Sequence, residues 1–228
     1  ALPASYKGKK IGSISRVTVF SFYATKTLST GEGGMICTDD EDIAKRTTLM
    51  RMHGINRDAW KRYSESGSWN YEVVAPGFKY NFTDIQASLG LSQLNKLEMM
   101  WKARKDIVAL YNKGFANNEL IETLPEKEHR ESAWHLYPIR LKLEGLNITR
   151  EKFIEELRHF GVGAAVHFMP VHKHIFYKNH LNLKESDYPV SEDIFPRLLS
   201  LPVYPGLTTQ QVEKVIDVTN DITRKHRR

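Results

Sequence analysis

With 228 residues, 41% of them hydrophobic and 26% charged, the chain has enough apolar mass to bury a core and the composition of an ordinary soluble globular protein, which excludes a disordered or fibrous segment. No run approaches the roughly 20 apolar residues that a membrane-spanning helix needs, residues 1–10 lack the apolar centre of a secretory signal, and the single Cys37 excludes an internal disulfide framework and suits a reducing compartment; a cytoplasmic protein with no membrane attachment is expected. The net charge of +6 is dispersed except in Arg224-Lys225-His226-Arg227-Arg228, which reads as a frayed tail, so no nucleic-acid partner is expected and an anionic ligand accounts for the basic surface equally well.

Residues 2–12 read as loop and turn leading into a strand. Val17-Thr18-Val19-Phe20-Ser21-Phe22 is apolar and β-prone, the pattern of a buried strand. Beyond Lys26, the freedom of Gly31, Gly33 and Gly34 lets a second segment turn closely past the lysine. Met35-Ile36-Cys37-Thr38 continues as a short strand, and Asp39 or Asp40 caps a helix from near Glu41, with Ile43, Ala44, Leu49, Met50 and Met52 on its apolar side. From Gly54 to Pro76 the periodicity dissolves into a long loop, either a surface excursion or an active-site flap. Thr83-Asp84-Ile85-Gln86 is a capping box opening a helix that runs to about Phe115. Its apolar Ile85, Leu89, Leu91, Leu94, Leu97 and Trp101 lie on more than one side, which implies burial against two partners. This helix is expected to join a domain of residues 1–105 to a smaller one of residues 106–228.

In the second half strands and helices alternate, the mark of an α/β domain. His135 to Leu143 is a strand; Thr149 caps a helix whose Phe153, Ile154, Leu157 and Phe160 face a core and which Gly161 stops. Gly163 to Phe168 is a further strand, and a short helix from Ser191 ends before Pro202. Thr208-Thr209-Gln210-Gln211 is a second capping box, for a last helix with Val212, Val215, Ile216 and Ile222 on one side.

Taken by itself, the stretch around Lys26 is a strand, a turn and a surface lysine. A lysine amine is protonated and poorly nucleophilic in water, but burial beside an apolar or cationic neighbour lowers its pKa and lets it condense with an aldehyde. Glu32 either orients a reacting group or holds the glycine turn. His167, His172, His174 and His180 lack the spacing and the cysteines of a zinc site, and no Gly-x-Ser-x-Gly elbow suggests a hydrolase.

The order Ser21-Phe22, three residues, Lys26, then Gly31-Glu32-Gly33-Gly34 resembles the pyridoxal-phosphate lysine segment of the DegT/StrS family of sugar-nucleotide aminotransferases. Residues 76–87, PGFKYNFTDIQA, and Ala133-Trp134-His135-Leu136-Tyr137 resemble two further segments of that family, in the same order. The resemblance implies an α/β pyridoxal-phosphate-dependent transferase of fold type I (aspartate aminotransferase-like), with an incomplete large domain and an α/β small domain. It implies that Lys26 binds pyridoxal 5'-phosphate covalently, that Ser21 hydrogen-bonds its phosphate, and that Lys79 or Asn81 reaches the phosphate of the other subunit's cofactor in a homodimer with shared sites. His167, at the end of the expected strand, is a candidate for contact with the sugar. Many members carry Asn at the position of Lys79 and Arg at that of Asn81; this chain instead matches the variant of the UDP-4-amino-4-deoxy-L-arabinose aminotransferase group, which leaves open which of the two makes the contact.

The implied reaction moves an amino group from glutamate to a nucleotide-linked keto sugar, in cell-surface or secondary-metabolite sugar biosynthesis. Lysine rather than histidine at position 26 argues against the family's deoxygenating dehydratases. A carboxylate for the pyridinium nitrogen, an aromatic stacked on the ring and a phosphate-binding helix N-terminus are all expected upstream of Ala1. The second reading is therefore a catalytically incomplete fragment that folds and self-associates without turnover.

Overall fold

The computed structural model describes residues 2–56 and 71–228. In chain order the strands are β1 (Ser5–Tyr6), β2 (Lys9–Lys10), β3 (Thr18–Ser21), β4 (Gly34–Cys37), β5 (Ile121–Thr123), β6 (Arg130–Glu131), β7 (Tyr137–Leu141) and β8 (Leu198–Leu201). The α-helices are α1 (Glu41–Met50), α2 (Asp84–Asn95), α3 (Leu97–Phe115), α4 (Arg150–His159), α5 (Ile175–His180), α6 (Pro189–Ile194) and α7 (Thr209–Lys225). The chain divides into two compact units, one of Ala1–Glu98 with His129–Ala133 and one of Met99–Glu128 with Trp134–Arg228.

In the first unit β3 and β4 pair antiparallel, with Val19 opposite Ile36 and Ser21 opposite Gly34. Side chains alternate across a strand, so Phe20 turns into a small core with Phe22, Leu28 and Leu97, whereas Val19 is 70% exposed and Val17 and Ile36 also face outward. The expected fully buried strand is therefore buried on one side only. The expected loop at residues 2–12 is instead a hairpin: Lys7 and Gly8 have φ of +50° and +74°, the left-handed pair that a two-residue turn matched to strand twist requires, and β6 adds to its other side in the order β2-β1-β6.

Asp40 caps α1, its carboxylate accepting from Asp42 N and Ile43 N. The hydrogen bond from Arg16, followed by that from Ile43 N, holds this carboxyl below its usual range. The capping box at Thr83 forms as expected, with Gln86 as its partner. The continuous helix to Phe115 does not: the Lys96 N–H turns back to Gln93 O, a tightened last turn that satisfies α2's end, and α3 starts afresh at Leu97. The wide apolar surface of α2 lies open in this chain, Ile85 being 83% exposed.

The second unit is built on the antiparallel sheet β5-β7-β8. Tyr137, Ile139 and Leu141 of β7 alternate inward and meet Val108, Tyr111 and Phe115 of α3, Phe153 and Leu157 of α4, and Val212, Val215 and Ile222 of α7. Burying each such side chain contributes about 1.5–3 kcal/mol. Buried Arg104 of α3 donates to Trp134 O (3.1 Å) and Val203 O (2.7 Å), clamping the entry to β7 and the exit from β8. Burial pushes its guanidinium pKa down.

Four expectations for this unit change. Residues 163–168 make only the single bridge Ala165–Ser200 rather than a strand, on the edge of β8 that faces away from β7. The short helix begins at Pro189, whose fixed φ suits a first turn. Phe160 is the exposed C-cap of α4 rather than a core residue, while Gly161 stops the helix at φ +77° as expected. The basic tail is tied down: Asn147 N donates to His226 O and Arg228 N to Gly145 O, and Arg227 pairs with Glu119.

Candidate functional site

Lys26 stands in a loop whose two ends close on one residue. Thr30 N donates to Phe22 O (2.9 Å) and Phe22 N to Gly33 O (2.8 Å), so residues 23–29 project from a base fixed by a side chain buried in the core. Inside the loop Lys26 N donates to Tyr23 O (2.9 Å), buried Leu28 anchors the return, and Thr27 Oγ1 donates to Leu2 O (2.7 Å). The Lys26 side chain is half-buried, and among the described residues no carboxylate pairs with it. Ser21, the last residue of β3, accepts a long 3.4 Å contact from Tyr23 N on its Oγ, which leaves its own O–H free to donate.

The glycine turn packs against this base. Gly33 has φ +144°, and a Cβ there would meet the Phe82 ring at 2.5 Å; a Cβ on Gly34 would meet Phe20 O at 2.8 Å. Only glycine fits such close approach. The Glu32 carbonyl accepts from Thr30 Oγ1 (2.7 Å) and from Gln86 Nε2 (2.9 Å), so it is the backbone of Glu32, with its side chain exposed, that holds the turn. Gln86 is the residue sequence reasoning left half-read: a capping box uses its carbonyl oxygen, and the unassigned amide N–H groups were the signal of a second partner.

Lys79 and Asn81 lie on the segment between α1 and α2. Phe78 N donates to Met50 O (2.7 Å), His53 N to Phe78 O (2.8 Å) and Tyr80 N to Arg51 O (2.8 Å), fastening this segment to the end of α1. A Cβ on Gly77 would overlap Gly54 N, and one on Gly54 would overlap Ala75 O, so the two glycines let backbone cross backbone. Lys79 is exposed, its Nζ 4.0 Å from Met52 Sδ, and Asn81 is half-buried. Of the expected 54–76 loop, residues 57–70 lie outside the described residues; at its base Ile55 bridges Val73 and Asn56 Nδ2 donates to Glu72 Oε2.

The first unit thus carries Ser21 and Lys26 on one segment and Lys79 and Asn81 on another, joined by the Gln86–Glu32 bond. His167 belongs to the second unit, where its Nδ1 lies 3.0 Å from the hydroxyl of buried Ser200.

Residues 1–220 match the model of the DegT/DnrJ/EryC1/StrS aminotransferase family. A Methanocaldococcus jannaschii protein, MJ1066, is 50% identical over 227 residues, covering 100% of this chain and 59% of its own. The spore coat polysaccharide biosynthesis protein SpsC of Bacillus subtilis is 42% identical over 225 residues, covering 98% of this chain and 58% of its own. Among solved structures, Spr1654 from Streptococcus pneumoniae, named as a sugar aminotransferase, superposes in its PMP form with a TM-score of 0.90 at 35% identity, over 99% of this chain and 57% of that one; its PLP form matches as well, at 0.89. The chain therefore has the expected α/β fold of these aminotransferases over nearly its whole length, and spans rather less than three fifths of theirs.

Proposed function

This chain belongs to the DegT/DnrJ/EryC1/StrS aminotransferase family, and on that footing we propose that the full-length protein transfers an amino group from glutamate to a nucleotide-linked keto sugar with pyridoxal phosphate. The observation that carries this is the loop pinned at Phe22, which holds the half-buried Lys26, without an ion-pair partner among the described residues, between Ser21, whose hydroxyl is free to donate, and the glycine turn along the chain. An amine and a neutral O–H donor at one strand end fit a ligand with an aldehyde and a phosphate. When bound, the cofactor supplies an electron sink for bond breaking at the donor's α-carbon.

In this reading Lys26 Nζ would hold the aldehyde carbon and, once freed by the donor's amine, would shuttle the proton from the donor's α-carbon to the cofactor, and in the second half-reaction from the cofactor to the carbon of the keto sugar. Ser21 Oγ donates to a phosphate oxygen. Lys79 Nζ or Asn81 Nδ2 reaches the phosphate held by the second subunit of a homodimer, and His167 contacts the sugar. The similarity to the spore coat polysaccharide protein SpsC supports a role in polysaccharide biosynthesis. The single half-buried Cys37 supports action in the cytoplasm.

The test is borohydride reduction of the full-length protein loaded with pyridoxal phosphate, followed by peptide mapping and by a glutamate half-reaction read from the cofactor's absorbance. A pyridoxyl label on Lys26 and a glutamate-dependent spectral change lost in Lys26→Ala are expected. A label elsewhere with Lys26 unmodified, or an unimpaired half-reaction in Lys26→Ala, overturns the assignment.

A further inference from the structure

We infer that Ser200 is a positioning residue for sugar recognition: its buried hydroxyl fixes His167 as a neutral imidazole with the ring proton on Nε2, a hydrogen-bond donor. The inference rests on the reading above in which His167 contacts the sugar.

The strand that carries Ser200 sets its hydroxyl apart. β8 is Leu198-Leu199-Ser200-Leu201, and Leu199 and Leu201 turn into the core of the second unit. Side chains alternate across a strand, so Ser200 points to the opposite face of the sheet. That face is covered there all the same, Ser200 being 5% exposed. A hydroxyl at a covered position in an apolar strand needs a hydrogen-bond partner, because burying it unsatisfied carries a cost that an alanine would not have.

His167 supplies that partner. Ser200 N donates to Ala165 O at 2.8 Å and Ala165 N to Ser200 O at 3.2 Å, two reciprocal bonds that fasten residue 165 to the outer edge of β8. Two residues further along, His167 Nδ1 lies 3.0 Å from Ser200 Oγ.

The direction of this bond decides the tautomer. Among the described residues, His167 Nδ1 is the one acceptor that the Ser200 O–H meets. Were Nδ1 protonated, in the neutral ring or in the imidazolium, it would donate to Ser200 Oγ and leave the hydroxyl proton buried without an acceptor. The hydroxyl therefore donates, Nδ1 accepts, and the ring proton sits on Nε2. The nitrogen that the serine does not hold is thus a donor without net charge. Such a group suits a carbonyl or hydroxyl oxygen of a sugar, and Ser200 acts only through it.

Two measurements on the full-length protein test this. Nitrogen NMR of protein labelled in its histidine rings, with the His167 signals assigned by their loss in His167→Ala, should show the Nε2-protonated form in the wild type and a shifted tautomer balance in Ser200→Ala. Steady-state kinetics with UDP- and dTDP-linked 4-keto sugars should show KM for the sugar raised about five- to tenfold in Ser200→Ala, with the rate of the glutamate half-reaction, which involves no sugar, as in the wild type. Because the serine acts through the histidine, Ser200→Ala combined with His167→Ala should be no worse than His167→Ala alone. A wild-type His167 protonated on Nδ1 overturns the proposal, as does an unchanged KM in Ser200→Ala folded by circular dichroism. Effects of the two substitutions that add in full, or an equal fall in the glutamate half-reaction, overturn it by marking Ser200 as merely structural. An unchanged sugar KM in His167→Ala also overturns it and leaves the aminotransferase reading standing. Absence of the half-reaction in the wild type is instead the failure of that reading, and the tautomer is then judged by NMR alone.

Discussion

Gln86 Nε2 donates to the carbonyl oxygen of Glu32 at 2.9 Å, across 54 residues of chain. The same side chain accepts from Thr83 N and Thr83 Oγ1 at the cap of α2. One amide therefore sets both where α2 begins and how the glycine turn behind Lys26 is held. Gln86→Glu keeps an acceptor for the cap but loses the donor and sets a carboxylate against a carbonyl; Gln86→Leu loses both. Destabilisation of about 1 kcal/mol and about 2 kcal/mol respectively is expected, read by denaturant titration. Equal stability of wild type and Gln86→Glu would show that the link to Glu32 contributes nothing.

Lys79 and Asn81 sit on a segment fastened to α1 yet keep their side chains unpaired by any carboxylate among the described residues. If they serve the neighbouring subunit, a Lys26→Ala subunit mixed with a Lys79→Ala, Asn81→Ala subunit regains one intact site per heterodimer. Partial recovery of transamination on mixing two inactive homodimers is expected; absence of recovery in a mixture shown to contain heterodimer would remove the shared-site arrangement.

Glu192 of α6 receives His172 Nε2 and Lys173 Nζ, each at 2.7 Å, and His172 is itself buried and stacked on Tyr188 at 4.2 Å. The hydrogen bond from His172, then that from Lys173, holds the Glu192 carboxyl below its usual value of 4.5. A carboxyl depressed on folding stabilises the fold above its unfolded pKa and loses that contribution as pH falls through its folded one. Glu192→Gln should therefore lower Tm at pH 7, with the difference from wild type closing below about pH 4. A Tm difference independent of pH would show that the carboxylate's charge is immaterial.

Glu156 of α4 is bonded by both Lys225 Nζ (3.0 Å) and His226 Nε2 (2.7 Å). Burial pushes its carboxyl up, but these two partners outweigh it and the net shift is downward. Deleting residues 226–228 removes the His226 contact and the backbone bonds Asn147 N–His226 O and Arg228 N–Gly145 O. A loss of about 2 kcal/mol is expected from two backbone hydrogen bonds alone. Unchanged stability on truncation would return the tail to the status of a loose end.

What the sequence by itself determined was local chemistry and periodicity. Asp40, Thr83, Thr149 and Thr208 each cap the helix they precede, because a cap is a bond between a side chain and a backbone N–H two or three residues on, readable from spacing. The lysine segment was legible for a related reason: Ser21, Lys26 and the glycines lie within one short stretch, from the end of β3 to the start of β4, whose order along the chain carries the resemblance. Tertiary structure decided what depends on partners far away in sequence. Val19 and Ile36 face outward although their run reads as core, because pairing sets which side of a strand is covered. Residues 163–168 meet the outer edge of β8 at the single bridge Ala165–Ser200, a pairing across 35 residues that no local pattern shows. The tail is fixed by Gly145, Asn147 and Glu156, about 70 to 80 residues before it. The row of Lys9, Tyr6 and Arg130 exists only because a strand about 125 residues downstream registers against the hairpin, and no local pattern encodes the register of strands so far apart.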